Sequence, residues 1–222
     1  MRRTDAQQGF SSAAADADVI VVGCGLAGLS AALAAAQRRA RVVLFDSSSD
    51  LFATNDVADR LYFNAVDPER QGDLGITDSP ELFYRQTLAA GGGRADPALV
   101  KILCYQAYIA LKWLEGFGVG FENKVRQIPG GVYPRTCGRV RIDDNDMLVM
   151  PVTLGRSATL GGVRIDGGGR VLTASGEHVE GLFAAGEITG GVHGMRCVPG
   201  NLSLESVVFG REAGFAAAGR SA

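Results

Sequence analysis

Gly23, Gly25 and Gly28 stand in G-x-G-x-x-G spacing directly behind the apolar burst Val19-Ile20-Val21-Val22. Residues of these types at this spacing bind phosphate; they do not break bonds. The first glycine allows a tight turn out of a strand, the second lets backbone approach a pyrophosphate, and the third lets a helix pack closely on the strand. The Ala-rich run 26–37 that follows is predicted helical. Its N-terminus would offer free N–H groups and a partial positive charge to an anion. Residues 42–45 read as a second strand, and Asp46 at its end suits hydrogen bonds to a ribose diol. A glycine triplet alone also fits an ordinary Gly-rich turn. Strand, helix, second strand and terminal acid in this order point to a dinucleotide. A carboxylate at 46 repels a 2′-phosphate, which favours FAD or NAD over NADP.

The elements that must hold such a site fit a chain of 222 residues, 46% hydrophobic, with room for one large domain. A net charge of -2 gives no basis for nucleic-acid or anionic-membrane partners. Cys24, Cys104, Cys137 and Cys197 are scattered and form no C-x-x-C. Zinc knuckles and covalent haem attachment are therefore unsupported, and a reduced, cytoplasmic compartment is expected. Arg2-Arg3 is followed by polar, Ala-rich sequence without an apolar core, so residues 1–17 read as a disordered lead-in and not an export signal. No apolar run reaches the roughly 18 residues of a membrane span.

Further along, residues 47–61 read as polar loop with a short helix, and 64–71 as turn-rich. Ser79-Pro80 and Asp96-Pro97 both read as helix starts, a capping side chain followed by proline at the first helical position. The first helix should stop at Gly91-Gly92-Gly93. The second carries an apolar stripe of Leu99, Ile102, Leu103, Ala107, Ala110, Trp113 and Leu114 up to Gly116, with Trp113 expected in the core. A short strand is expected at 118–121 and the least order at 123–151. Residues 162–165 and 170–174 around Gly167-Gly168-Gly169 read as a hairpin, and 182–185 as a buried strand. That strand runs into a Gly-rich loop, Gly186-Glu187-Ile188-Thr189-Gly190-Gly191, where open α/β sheets bind ligands. Asn201 is expected to cap a last helix, 202–218, with Leu204, Val207, Val208 and Phe215 inward. The fold class expected is α/β: a Rossmann-like domain with a central parallel sheet, a small β-hairpin and flanking helices.

Two separated stretches then resemble one family, the FAD-dependent fumarate reductase and flavocytochrome c flavoproteins, with urocanate reductases and other 2-enoate reductases. The N-terminal likeness lies in Gly23 to Gly28, Asn64-Ala-Val-Asp-Pro-Glu-Arg-Gln71, Asp78-Ser-Pro-Glu-Leu82, Gln86-Thr-Leu-Ala-Ala90 and Trp113-Leu-Glu115. The C-terminal likeness is more specific: Thr159-Leu-Gly-Gly-Val-Arg-Ile-Asp166, Gly181 to Gly194 with Ala185-Gly186-Glu187 and Val192-His193-Gly194, Gly200-Asn201, and Val207-Val-Phe-Gly-Arg211. The resemblance implies FAD as cofactor, held by Gly23, Gly25, Leu26, Ala27, Gly28 and Asp46 at the ADP half. It implies Gly186 and Glu187 near the pyrophosphate and ribityl chain, and Gly200, Asn201, Ser203 and Leu204 at the flavin's pyrimidine edge. It implies hydride transfer between flavin and a dicarboxylate or 2-enoate, and a separate electron donor.

The departures from that family are as informative. Its members are longer and carry a substrate-capping domain whose arginine is the catalytic acid. Here the join falls between Cys137 and Met147, so the expected organisation is one FAD-binding domain, 18–222, in two halves, 18–136 and 147–222, without the cap. The family's histidine before Thr-x-Gly-Gly is Ala158, and that of its Pro-Arg-Ser/Thr-His is Cys137. Its Gly-Gly-Asn-Ser stretch is Ser47-Ser48-Ser49-Asp50. A carboxylate-binding arginine normally sits where Cys197 stands, with Arg196 one residue early. Arg196 and His193 are thus the catalytic candidates, against a solvated loop arginine and a structural histidine. His178 reads as exposed, and Arg211 as a surface or ion-pairing residue on the last helix. Three functions compete: an oxidoreductase impaired by the missing cap; a non-catalytic FAD-binding remnant or truncated gene product; and a NAD-binding or disulfide-reductase-like enzyme. The absence of C-x-x-C and of a second glycine fingerprint opposes the third. No metal site is expected.

Overall fold

Four apolar residues ending at a glycine turn form β1, Val19–Val22, which pairs in parallel with β2, Val42–Phe45, Val19 opposite Val42 and Val22 opposite Phe45. Helix α1, Leu26–Gln37, makes the crossover and packs on both strands, with Ser30, Ala34 and Ala35 buried. In this computed structural model the described residues are 16–47, 62–127, 133–138 and 159–219. Expectations for the lead-in before residue 16, the polar loop after Ser47, and the segments 128–132 and 139–158, Ala158 included, lie outside them. The described residues fall into two compact units, one within Met1–Ala58, Val163–Gly186 and Glu205–Ala222, the other within Asp59–Gly162 and Glu187–Leu204.

The first unit holds the β1-α1-β2 crossover, a hairpin and most of the last helix. The hairpin is β5, Arg170–Leu172, paired antiparallel with β6, His178–Phe183. The expected pairing across the Gly-rich turn is present: Ile165 bridges Val171, Asp166 N–H donates to the Arg170 carbonyl and Leu172 N–H to the Arg164 carbonyl, and β6 pairs with β5 in addition. Leu182, expected buried, is 50% exposed, because among the described residues β6 pairs with β5 alone. The parallel sheet among the described residues is two-stranded. Leu204, Val207, Val208 and Phe209 of the last helix, Asn201–Ala218, are buried as its apolar pattern requires. Phe215 is half-buried between two guanidiniums, Arg38 and Arg211, over its ring.

The second unit is mostly helical. Helix α2, Pro68–Gly72, follows β3, Tyr62–Asn64. Sequence reading took this stretch as turns, yet Asp67-Pro68 is the same start signal seen twice further on. Asp67 accepts from the N–H groups of Glu69 and Arg70. Helix α3, Pro80–Ala90, is capped by Ser79, which accepts from Leu82 N–H. Helix α4, Pro97–Gly116, is capped by Asp96 and packs on α3. Its stripe is buried at Leu99, Val100, Leu103, Cys104, Ala107, Ala110, Leu111 and Leu114. Trp113 is half-buried at the stripe's edge, ring against Phe117, and not in the core as expected. The expected strand at 118–121 reduces to a single-residue bridge at Phe121. Strand β4, Thr136–Gly138, pairs antiparallel with β3. The last helix, labelled α5, starts in this unit at Asn201. No helix among the described residues is long and apolar enough to cross a membrane.

Candidate functional site

Each glycine of the fingerprint meets the steric demand its position makes. Gly23 adopts φ +106°, a conformation L-residues with a Cβ rarely reach. A side chain on Gly28 would collide with the carbonyl of Gly23 and press on Val21, so helix and strand touch only because 28 is glycine. Gly25 begins α1 in extended conformation and makes no side-chain cap. Glycine at the N-cap puts no side chain of its own over the start of α1, which suits a phosphate site. Asp46 lies at the end of β2 beside the fingerprint loop. Its carboxylate accepts from the Cys24 N–H at 2.6 Å, bracing the end of β2 against the fingerprint loop. The Cys24 thiol is buried, and burial with the nearby Asp46 charge raises its pKa.

The second glycine bend of this unit comes to the same place. Gly186 has φ +79°, and a Cβ on it would lie 2.8 Å from the Cβ of Ala27. Gly210 and Gly214 of α5 likewise approach the backbone of Ala27 and Ala31 too closely for a side chain. Helix α5 therefore lies against α1 backbone to backbone, with the 185–186 bend held over the start of α1. These residues fit a dinucleotide: a turn with positive φ, a helix start with glycine at its N-cap, and a second glycine bend close upon it.

In the second unit the loop 187–200 is shaped by polar contacts. Glu187 is exposed, and its carboxylate accepts from the backbone N–H and hydroxyl of Thr159, at 2.8 and 3.3 Å. His193 is buried, with its carbonyl close to Gly91 in the α3–α4 turn. Arg196 is exposed. Cys197 is partly buried. Asn201 stands at the first position of α5, inside the helix expected to begin at 202. It is fully buried, accepts from Asn64 Nδ2 at 2.7 Å, and donates to Thr87 Oγ1 at 3.4 Å. Ser203 and Leu204 occupy the following turn of the helix.

Sequence reading missed the buried polar network beneath this loop. Arg135 donates bidentately to Asp78, from Nε at 2.9 Å and Nη2 at 2.7 Å, and from Nη1 to Gln86 at 2.8 Å; its guanidinium lies over the Phe83 ring. Arg70 bridges Asp67 and Glu115. Gln71 donates to Asp78 and to the Pro134 carbonyl. The signal available was the Pro-Arg-Thr motif at 134–136, which gave no hint of its partners. Cys137 stands where the resembled family has histidine. It is buried, donates to the Phe63 carbonyl at 3.4 Å, and burial pushes its pKa up to about 12. His178, exposed as expected, is paired with Asp166 at 2.9 Å. Arg211 ion-pairs with Glu212. Among the described residues no cluster of His, Cys, Asp or Glu could hold a metal ion.

The sequence matches the FAD binding domain family over residues 18–144 and 136–202. This chain belongs to that family. FAD is the cofactor of the domain, and its kin are fumarate reductase flavoproteins. The fumarate reductase (cytochrome) of Shewanella frigidimarina is 35% identical over 122 residues, 54% of this chain and 21% of that protein. The fumarate reductase of Schizosaccharomyces pombe is 54% identical over 56 residues, 25% of this chain and 11% of that one. Among solved structures, the open conformation of a flavocytochrome c3 fumarate reductase aligns with TM-score 0.78 over 100% of this chain and 82% of that one, at 16% identity. That likeness establishes a shared α/β, Rossmann-like FAD-binding fold. The domain spans about a fifth of the length of the Shewanella relatives it matches.

Proposed function

We propose that this chain holds FAD in a flavin oxidoreductase of the fumarate reductase type, which transfers hydride between flavin and a dicarboxylate or 2-enoate. The observation that carries the reading is the approach of Gly186 to Ala27, which brings the second glycine bend onto the fingerprint. The residues assigned to the cofactor are Gly23, Gly25, Leu26, Ala27 and Gly28 for the pyrophosphate and Asp46 for the adenosine end. Gly186 and Glu187 are assigned to the central chain, and Gly200, Asn201, Ser203 and Leu204 to the pyrimidine edge. When bound, FAD supplies a two-electron hydride carrier. The chain's own part is to hold and orient. The start of α1 favours an anionic pyrophosphate, and the start of α5 favours negative charge by about 0.3–1 kcal/mol, up to ~2 when partly buried.

The same reading holds that this chain alone turns over fumarate weakly or not at all. Reducing an enoate needs carboxylate clamps, a proton donor and a dry site. Arg196, one candidate clamp, is exposed. Cys137 is buried, neutral at physiological pH, and bonded to a backbone carbonyl, so it cannot replace a substrate-binding histidine. These observations also favour the second reading, a non-catalytic FAD-binding remnant. A visible spectrum after incubation with FAD, then an assay of fumarate with a reduced viologen, separates the outcomes. Retained flavin absorbance with negligible turnover is expected. Turnover of many per second would refute the impairment. A protein that keeps no flavin would refute the cofactor assignment.

A further inference from the structure

We propose that Asn64 is a positioning residue for the reduced flavin, acting through the first turn of α5; this rests on the cofactor reading above. Asn64 is 1% exposed, and every arm of its amide is used. Its Nδ2 donates to the Pro199 carbonyl at 2.8 Å and to Asn201 Oδ1 at 2.7 Å. Its Oδ1 accepts from the Thr136 hydroxyl at 2.5 Å. Asn201 passes the chain on to Thr87. Four side chains from β3, β4, α3 and α5 thus form one buried series, with Thr136 and Thr87 themselves 1% and 3% exposed. Between the two residues Asn64 grips lies Gly200, at φ +88°, where a Cβ would sit 2.7 Å from Asn64 Oδ1. The turn into α5 is therefore pressed against the asparagine and bonded to it on both flanks.

Two features make this more than core filling. A buried hydrogen-bonded amide costs desolvation that an apolar side chain of the same size would not. What that amide fixes is the point where an eighteen-residue helix begins. In addition, Asn201 at the first position of α5 is held at both ends of its amide, its Oδ1 by Asn64 and its Nδ2 by Thr87. The first turn of α5 is then aimed through Asn64. A helix start aimed in this way favours a reduced, anionic flavin over the oxidised, neutral one. Loosening the turn should weaken binding of the two forms unequally. Loss of packing alone would weaken them alike.

The test compares dissociation constants for oxidised and reduced FAD, with the potential read by dye equilibration, in the natural chain, Asn64→Leu and Thr136→Val. Asn64→Leu removes both donors at similar volume. The expected result is about tenfold greater loss of affinity for reduced than for oxidised FAD, a fall of ~30 mV for the two-electron couple. Thr136→Val should give a smaller shift of the same sign. Failure of the natural chain to retain FAD would defeat the cofactor reading and the proposal with it. Retention of FAD with equal losses, or none, for both redox forms would defeat the proposal alone. Should Asn64→Leu fail to fold, an unchanged ratio in Thr136→Val overturns it.

Discussion

The two units are stabilised by opposite means. The unit around the fingerprint is held by absence of side chains: Gly28 on Gly23, Gly186 on Ala27, Gly210 and Gly214 on α1. Its strands keep much apolar surface in the open, with Val22 82% and Ile20 50% exposed. The other unit is held by filled, polar contacts. Arg135 and Asp78 are nearly inaccessible and bonded bidentately, Arg70 joins two carboxylates, and Asn64 joins β3 to the start of α5. Backbone-to-backbone packing leaves room where a ligand's phosphates can approach. A saturated polar network leaves no room but sets angles, because each bond fails outside a narrow geometry. The lesson is a contrast in construction, in which one region brings backbone close by omitting side chains and the other fixes side-chain geometry by filling it with polar bonds.

Substitutions can break this contrast. The largest effect is expected from Arg135→Leu, which leaves Asp78 charged and buried without its partner. Chemical denaturation should show a loss of about 3–5 kcal/mol. Gly186→Ala comes next. It adds a methyl to a residue at positive φ against Ala27, and a cost of roughly 1–3 kcal/mol is expected, with weaker retention of FAD in a spectral titration. Equal destabilisation by the two, or a Gly186→Ala protein that holds FAD as tightly as the natural chain, would erase the distinction. Ser79→Ala removes a cap from α3 and should cost about 1 kcal/mol with no effect on FAD titration. The smallest effect concerns pH. Burial alone would raise the Asp166 pKa, but N–H donors from Arg170 and Gly168 outweigh it and lower it. A carboxylate lowered on folding adds stability above its ordinary pKa of about 3.9, and that stability is lost as pH falls through the lowered value. Asp166→Asn should therefore lower stability slightly at neutral pH and flatten the acid limb of the stability profile below about pH 4.

Much of this was legible in the residues because local rules produce it. The fingerprint, the β1-α1-β2 crossover and the caps of α3 and α4 each depend on neighbours within a few positions. Asp67-Pro68 carried the same signal and was missed, because α2 is a five-residue helix with no apolar period to mark it. Residues 182–185 read as buried from composition, but burial of a strand depends on what lies beside it, and among the described residues β6 has β5 alone in its sheet. Trp113 followed the helical stripe yet sits at its edge, because period alone does not define the width of a packed face.

By itself the sequence determined where glycine is obligatory and hence where backbone must come close: at 23, 25 and 28 after the first strand and at 186 after the last. That information is local, since a missing Cβ acts on the turn that contains it. Only the tertiary structure decided which residues those turns meet and which polar groups close on one another. Arg135 finds Asp78 across 57 positions, and Asn64 finds Asn201 across 137. Such partners are set by chain packing, and a buried amide or guanidinium gives no sign in the sequence of where its acceptor lies.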